Sequence, residues 1–291
     1  MTEAFARPIL VTGAAGLLGR AVVEHVVEAG ERVVALDREA VTPPAGVEFI
    51  ADDLGSRERL EAICSGLAGI VHCAAYAHAH SAREDILFAG NVTSTANLLF
   101  AAEAAEVPRL IYASSQSALG FAYAPDIVAP TRVPVDENEP SRPREGYALS
   151  KLVGEQICEM ISRRSPMVTR ALRFPVIWHP DRFAEHTAKR LGDPKQAAKS
   201  QWAYVDVRDA ARACRLALLD PGPARFAVYN IAAPWPFACD DAERRLGEAY
   251  GAAPRREGWR PGEAVYDSSR AANELGFRAR WRWTPEGIAD S

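Results

Sequence analysis

Several features that mark specialised classes of protein are missing from the 291 residues of this chain. No long apolar run and no signal-type N-terminus occur, so we expect neither membrane insertion nor export, and the cytoplasm is the expected location. The formal net charge is −4 and basic residues do not cluster, so no nucleic-acid or membrane partner is expected. The chain also lacks internal repeats and low-complexity segments.

Cysteine is scarce, and no two cysteines form a CxxC pair. Scattered cysteines of this kind predict reduced, mostly buried thiols rather than disulfides or a metal site. His78 and His80 lie two residues apart, but no third ligand is near them in the sequence, so no metal is expected. The five cysteines are Cys64, Cys73, Cys158, Cys214 and Cys239.

The content of the sequence is that of a globular protein, with 48% hydrophobic and 25% charged residues. Its clearest local pattern is PILVTGAAGLLGRAVVEHVVEAGERVVALDRE, Pro8 to Glu39. A short β-branched run precedes a glycine turn, apolar residues then recur at helical spacing, and a second β-branched run ends at Asp37. This order predicts one strand-helix-strand unit.

Gly13, Gly16 and Gly19 lie where the first strand of that unit enters the helix. Without side chains there, the backbone can approach a pyrophosphate, which the helix N-terminus attracts. Asp37 is placed to accept hydrogen bonds from the adenosine ribose, which favours NAD. Arg38 keeps NADP open, because it could pair with a 2′-phosphate.

Strands and helices continue to alternate after this unit. The sequence predicts further buried strands at residues 47–54, 68–77 and 111–120, and a helix from Asn91 to Glu106. We therefore predict an α/β fold with a doubly wound parallel sheet (Rossmann), its dinucleotide-binding domain spanning residues 1–173. Residues 174–291 are expected to form a smaller substrate-binding lobe, interleaved with late Rossmann elements, over the carboxyl ends of the strands.

The catalytic signal lies in GYALSKLVGEQICEMI, Gly146 to Ile161. Tyr147 and Lys151 are four residues apart in a helical pattern, so their side chains share one face. An ammonium about 5 Å from a phenol, at an effective dielectric near 20, is worth about 3 kcal/mol, or roughly two pK units. This predicts a Tyr147 pKa lowered towards the physiological range, suited to general acid-base catalysis beside a nicotinamide.

These motifs together resemble the extended short-chain dehydrogenases/reductases, the NAD-dependent epimerase/dehydratase family, over nearly the whole chain. YASSQSALG resembles the strand end with the catalytic serine or threonine, which implies Ser115, with Ser114 and Ser117 as alternatives. The implied catalytic residues are Ser115, Tyr147 and Lys151. VTGAAGLLG, ADDL, VHCAAYA, GNVTST and ALRFPVIW resemble the family's cofactor segments. The implied cofactor-binding residues are Gly13, Ala15, Gly16, Leu17, Leu18, Gly19, Asp37, Arg38, Asp53, Leu54, Cys73, Ala74, Ala75, Tyr76, Asn91, Tyr147, Lys151 and Pro175.

The segment that follows the catalytic motif departs from the family pattern. RFP and WHP (Trp178 to Pro180) stand where many nucleotide-sugar enzymes have other residues. Trp202 occupies a place where those enzymes often have an arginine together with an aromatic residue. Few basic residues are available for a nucleoside diphosphate. A smaller polar substrate such as a sugar acid, lactone or polyol fits better, and ASSQS resembles uronate dehydrogenases. The basic candidates are Arg173, Arg182, Lys189, Arg190 and Arg208.

Three hypotheses remain. The first is an NAD(P)-dependent oxidoreductase that acts on a secondary alcohol or ketone of a small sugar-like substrate. The second is a nucleotide-sugar epimerase or dehydratase that keeps NAD bound, and the third is a non-catalytic dinucleotide sensor. By resemblance, the chain is expected to form a homodimer through helices 91–106 and 151–162. If Tyr147 is not the proton carrier, a polar residue from Tyr204 to Asp209 is the alternative.

Overall fold

A computed structural model describes residues 5–220, 222–237 and 242–290. Within them, seven parallel strands form one sheet in the order β3-β2-β1-β4-β5-β6-β9, and β7 pairs with β8 and β10 with β11 outside it. The doubly wound parallel sheet that the sequence predicts is confirmed. The strands are β1 (Ile9–Thr12), β2 (Val33–Asp37), β3 (Glu48–Ala51), β4 (Gly69–His72), β5 (Arg109–Ser115), β6 (Val168–Phe174), β7 (Val176–Trp178), β8 (Tyr204–Asp206), β9 (Phe226–Asn230), β10 (Trp281–Thr284) and β11 (Gly287–Asp290).

Helices cover both faces of the sheet, with α1 and α7 on one face and α2, α3 and α4 on the other. The α-helices are α1 (Leu17–Glu28), α2 (Arg57–Cys64), α3 (Glu84–Ala104), α4 (Gly146–Arg164), α5 (Phe183–Gly192), α6 (Pro194–Lys199), α7 (Val207–Leu219), α8 (Ala242–Tyr250) and α9 (Ser269–Glu274). Two 3₁₀ helices span Gln116–Leu119 and Pro180–Arg182.

The two-sided covering explains the apolar runs in the strands. Ile9 and Val11 of β1 join the core on the side of Val22 and α1, whereas Leu10 joins the opposite core with Leu98 of α3. Successive residues of a strand point to opposite faces, so a strand buried on both sides needs apolar residues at every position. All four residues of β1 are buried.

Two predicted boundaries are wrong. Helix α3 begins at Glu84 rather than near Asn91, and its first turn contains Glu84 and Asp85, which the positive end of the helix dipole stabilises. Strand β5 ends at Ser115, whose hydroxyl accepts the Ser117 N–H at 3.0 Å and starts the 3₁₀ helix. Helix α8 lies in the segment DDAERRLGEAYG, of which residues 240 and 241 lie outside the described residues.

Strand β9, from the second half of the chain, pairs with β6 as the edge strand of the main sheet. The division into residues 1–173 and 174–291 stays a prediction. In the described part of the chain, none of the helices combines the length and apolar character that crossing a membrane requires.

All cysteines in the described ranges are unpaired. Cys64, Cys158 and Cys214 are buried and Cys73 is partly buried, while Cys239 lies outside the described residues. Burial raises the pKa of the Cys73 thiol to about 12. The same ranges contain no group of three or more histidine, cysteine or acidic residues that could hold a metal ion.

Candidate active site

The glycine loop between β1 and α1 is closely packed backbone. A Cβ atom at Gly13 would lie 2.5 Å from the Ala74 nitrogen, and one at Gly19 would lie 2.0 Å from the Gly13 carbonyl oxygen. Gly13 also has a φ of +70°, in the left-handed region. Gly16 is the N-cap of α1 and has no side chain to satisfy the helix, so the first N–H groups of α1 can bind an anion.

Asp37, at the end of β2, lies against this loop. One of its carboxylate oxygens accepts the Ala15 N–H at 2.9 Å, and the other accepts the Glu39 N–H at 3.0 Å. A carboxylate can accept about four hydrogen bonds, so two ribose hydroxyls can still bind to it. The exposed guanidinium of Arg38 lies 5.5 Å from the centre of the Tyr76 ring.

The turn after β3 lies beside Asp37, because the Asp52 N–H donates to the Asp37 carbonyl at 3.0 Å. Asp53 is exposed and accepts the Gly55 N–H at 2.9 Å. Leu54 is buried with a φ of +62°, and Asn97 donates to its carbonyl at 3.0 Å. The structure therefore places the turn in ADDL, one of the predicted cofactor segments, next to Asp37, the predicted ribose acid.

Asn91 fixes the loop after β4. Its side-chain oxygen accepts the Tyr76 N–H at 2.8 Å, and its amide nitrogen donates to the Tyr76 carbonyl at 3.3 Å and to the Ser150 hydroxyl at 3.1 Å. Asn91 is buried. Because it bonds both Tyr76 and Ser150, it links the loop after β4 to the helix that contains Tyr147 and Lys151.

A buried histidine that the sequence analysis did not single out supports the same loop. His72 Nδ1 lies 2.7 Å from the Thr12 hydroxyl, and its Nε2 lies 3.1 Å from the Thr95 hydroxyl. Burial, with a smaller contribution from the charge of Lys151, lowers the pKa of His72 to about 3. The neutral ring therefore connects β1 and β4 to α3.

Ser115, Tyr147 and Lys151 come together at the carboxyl end of β5. The Ser115 side chain lies near enough to the Tyr147 phenol to lower its pKa, and Lys151 Nζ lies 5.8 Å from the centre of the Tyr147 ring. Lys151 Nζ also donates to the Ala113 carbonyl at 2.8 Å. Of the three candidate serines, Ser115 is the one that affects the Tyr147 pKa, whereas Ser114 donates to Glu155.

The predicted lowering of the Tyr147 pKa is wrong for the structure as it stands. Burial raises the pKa of the Tyr147 phenol well above its usual value, and the nearby Ser115 side chain offsets only part of this effect. Burial also lowers the pKa of Lys151 to about 8. The sequence estimate included the attraction between the two groups and omitted the cost of removing both from water.

The basic residues considered for phosphate contact are mostly paired with other groups. Arg173 is buried and forms two hydrogen bonds to Glu155, at 2.8 and 2.7 Å. Arg182 pairs with Glu185, and Arg208 pairs with Asp206. Arg190 donates to the Ser200 hydroxyl and, at 3.2 Å, to the Ala203 carbonyl. Pro175 is buried between β6 and β7, and Trp202 is buried with a φ of +50°.

A cavity of about 330 Å³ adjoins Tyr147. It is formed by segments distant in the sequence: the start of α3, the loop after β5, the start of α4 and helix α6. Sequence reasoning missed these residues, although Glu145 stands immediately before the catalytic motif in a capping position. The polar side chains in its wall, besides two tyrosines, are His80, Glu84, Glu145, Gln196 and Lys199.

The parallel strand order, the open helix N-terminus at the glycine loop and the acid at the end of β2 define a dinucleotide-binding α/β fold. Residues 9–232 match the NAD dependent epimerase/dehydratase family, and the chain belongs to that family. Its fold is that of the short-chain dehydrogenases/reductases.

Among its relatives, a UDP-glucose 4-epimerase from Streptomyces lividans is 32% identical over 49% of this chain and 44% of its own length. A uronate dehydrogenase from Pseudomonas putida is 29% identical over 57% of this chain and 59% of its own length. The chain thus spans about half the length of these relatives. A crystal structure of a short-chain dehydrogenase/reductase superfamily protein from Agrobacterium tumefaciens with bound NAD has a TM-score of 0.70 and 26% identity, covering 96% of this chain and 94% of that one.

Proposed function

We propose that the protein is an NAD-dependent oxidoreductase that transfers a hydride to or from a secondary alcohol or ketone of a small sugar-like substrate. The main support is the position of Tyr147, whose buried phenol lies near Ser115 and Lys151 and adjoins a cavity. A proton carrier in contact with both a protein hydrogen-bond donor and a substrate-sized space is what alcohol oxidation requires.

The residues around the glycine loop fit NAD. The close backbone packing at Gly13, the start of α1 without a side-chain cap and the Asp37 carboxylate suit a pyrophosphate and an adenosine ribose. When bound, NAD would supply the hydride acceptor or donor. The proposed cofactor residues are the sequence-derived set: Gly13, Ala15, Gly16, Leu17, Leu18, Gly19, Asp37, Arg38, Asp53, Leu54, Cys73, Ala74, Ala75, Tyr76, Asn91, Tyr147, Lys151 and Pro175.

The three proposed catalytic side chains have different roles. Tyr147 exchanges a proton between its phenol oxygen and the reacting substrate oxygen. Ser115 donates a hydrogen bond to that oxygen as its charge changes. Lys151, held by the Ala113 carbonyl, stabilises the phenolate and binds the nicotinamide ribose.

A nucleotide-sugar epimerase or dehydratase is the second candidate, and the identity to UDP-glucose 4-epimerases favours it. Such an enzyme returns the hydride to its substrate, so the two candidates differ in net NADH formation. We expect absorbance at 340 nm to rise when the protein is mixed with NAD⁺ and a panel of aldoses, lactones and uronates. Conversion of a UDP-hexose without net NADH would support the second candidate instead.

A further inference from the structure

The wall of the cavity beside Tyr147 contains two carboxylates and one ammonium. Glu84 and Glu145 supply the carboxylates, Lys199 supplies the ammonium, and Gln196 adds an uncharged amide. Of the described residues in the wall, none is an arginine. Arginine is the side chain best suited to bind a diphosphate, and two carboxylates repel one.

Both carboxylates are fixed at the start of α4. Glu84 accepts the Gly146 N–H at 2.6 Å, and Glu145 accepts the N–H groups of Tyr147 at 2.6 Å and Ala148 at 2.7 Å. Moving either carboxylate away would remove a partner from the first turn of the helix that contains Tyr147. The two carboxyl groups are therefore held in this wall, where burial raises the pKa of Glu145.

The opposite wall is also fixed. Lys199 Nζ donates to the carbonyls of Ala124 at 2.6 Å and Pro125 at 2.8 Å, and Gln196 donates to the Ala122 carbonyl at 3.1 Å. An ammonium has three N–H donors, so Lys199 retains one for a ligand. A single hydroxyl of a neutral ligand can accept it.

We propose that this cavity binds a single-ring, polyhydroxylated substrate that has no phosphate and no net negative charge. Its hydroxyls donate to Glu84 and Glu145 and accept from Lys199. The volume of about 330 Å³ lies at the lower end of the roughly 300–1,000 Å³ of small-molecule sites, which fits one sugar ring better than a nucleotide sugar. This inference rests on the proposed function and specifies the substrate class of the same site.

Calorimetric titration of the protein saturated with NADH tests the charge preference without turnover. The probes are D-galactose, D-galacturonate, which differs from it at C6 by a carboxylate, and UDP-galactose. We expect galactose to bind and UDP-galactose not to bind. Galacturonate should bind at least about tenfold more weakly than galactose, a difference in binding free energy of about 1.4 kcal/mol. Equal or tighter binding of either anion, or no binding of galactose at millimolar concentration, overturns the proposal.

Two variants test whether Glu84 causes the preference. Glu84→Gln keeps an oxygen to accept the Gly146 N–H but removes the charge. It should therefore lower the ratio of the galacturonate Kd to the galactose Kd roughly tenfold. Asp85→Asn is the matched control, because Asp85 is the next residue, pairs with Arg83 and does not line the cavity. If Glu84→Gln leaves the ratio of these two dissociation constants unchanged, the proposal is contradicted. If the sugars bind but no alcohol in the panel reduces NAD⁺, the proposed oxidoreductase function fails while the charge preference stands.

Discussion

The guanidinium of Arg173 and the carboxylate of Glu155 form a buried pair directly beneath the proposed catalytic residues. Two hydrogen bonds join them, at 2.8 and 2.7 Å, and Ser114 donates a third to Glu155 at 2.5 Å. Glu155 follows Lys151 by one turn of α4, and Arg173 lies on β6. The pair, with Ser114, therefore links the helix that contains Tyr147 and Lys151 to strands β5 and β6.

Removing one partner of this pair should be costly. Glu155→Gln leaves the Arg173 charge in the interior without a counterion, and we expect the free energy of unfolding to fall by about 3–5 kcal/mol. Urea denaturation measures this loss. Glu159→Gln is the control, because it breaks an exposed pair with Arg163 on the same helix and should cost less than about 1 kcal/mol. Equal losses in the two variants would contradict the prediction.

The nucleotide end of the site was predictable from the sequence because its signals are local. Gly13 and Asp37 lie within one strand-helix-strand unit, where the order of elements determines which residues meet. Tyr147 and Lys151 are four residues apart on one helix, so their proximity also follows from local structure.

The remaining features depend on burial and on contacts distant in the sequence. The cavity combines the start of α3 with Glu145 and Lys199, and no periodicity in the sequence brings these together. The shift of the Tyr147 pKa depends on how much water the folded chain excludes. The pairing of Arg173 with Glu155 likewise required the register of β6 in the sheet.

The His72 ring should make the protein sensitive to acid. Its folded-state pKa of about 3 lies below the usual value of 6.5, so between these pH values the unfolded chain binds a proton that the folded chain does not. The contribution of the neutral His72 ring to the free energy of unfolding is complete above pH 6.5 and is lost as the pH falls towards 3.

The expected slope is about 1.4 kcal/mol of unfolding free energy per pH unit between pH 6 and 4. Urea titrations of the wild type and of His72→Gln measure it, and the variant should lose this part of the slope whatever its stability at neutral pH. His78→Gln is the control, because the His78 side chain is exposed. Identical slopes for the wild type and His72→Gln would refute the assignment.

Asp37 should determine the cofactor preference. We expect NAD to bind more tightly than NADP, and Asp37→Ala to weaken NAD binding roughly tenfold or more through loss of charged hydrogen bonds worth about 1.5–3 kcal/mol. Calorimetry with both cofactors gives the ratio of the NAD and NADP affinities. Glu39→Ala removes a nearby exposed carboxylate and should leave the ratio of NAD to NADP affinity unchanged. Tighter binding of NADP by the wild type would show that Arg38 has the larger influence.

The exposed apolar residues on α3 and α4 support the prediction of a homodimer. Ile86 is 47% exposed and Leu149 is 41% exposed, and the two helices pack side by side. Light scattering should give twice the monomer mass at micromolar concentration, and Leu149→Glu should shift the protein to monomer. Leu191→Glu, at a 51% exposed residue of α5, should remain dimeric. A wild-type monomer would contradict the prediction.

Tyr147→Phe tests the proposed mechanism most directly. The variant keeps the ring and removes the transferable proton, so kcat should fall by roughly 10² to 10⁴ with NAD affinity nearly unchanged. Tyr123→Phe is the control, because this tyrosine also lines the cavity and its ring centre lies 6.1 Å from that of Tyr147. Lys151→Met should reduce both kcat and NAD affinity, because the proposed role of Lys151 includes the nicotinamide ribose.

The Tyr204–Asp209 segment contains the alternative proton carriers, and its side chains already have partners. The Tyr204 hydroxyl accepts the Trp283 N–H at 2.9 Å, and Asp206 binds Arg208 at 2.7 Å. Asp209 accepts the Arg280 N–H at 2.8 Å. These residues hold the second half of the chain together, so substituting them should lower stability before it lowers kcat. If Tyr147→Phe keeps most of the wild-type kcat while chemistry limits the rate, the proton must pass through a group other than Tyr147, and the mechanism proposed here is wrong.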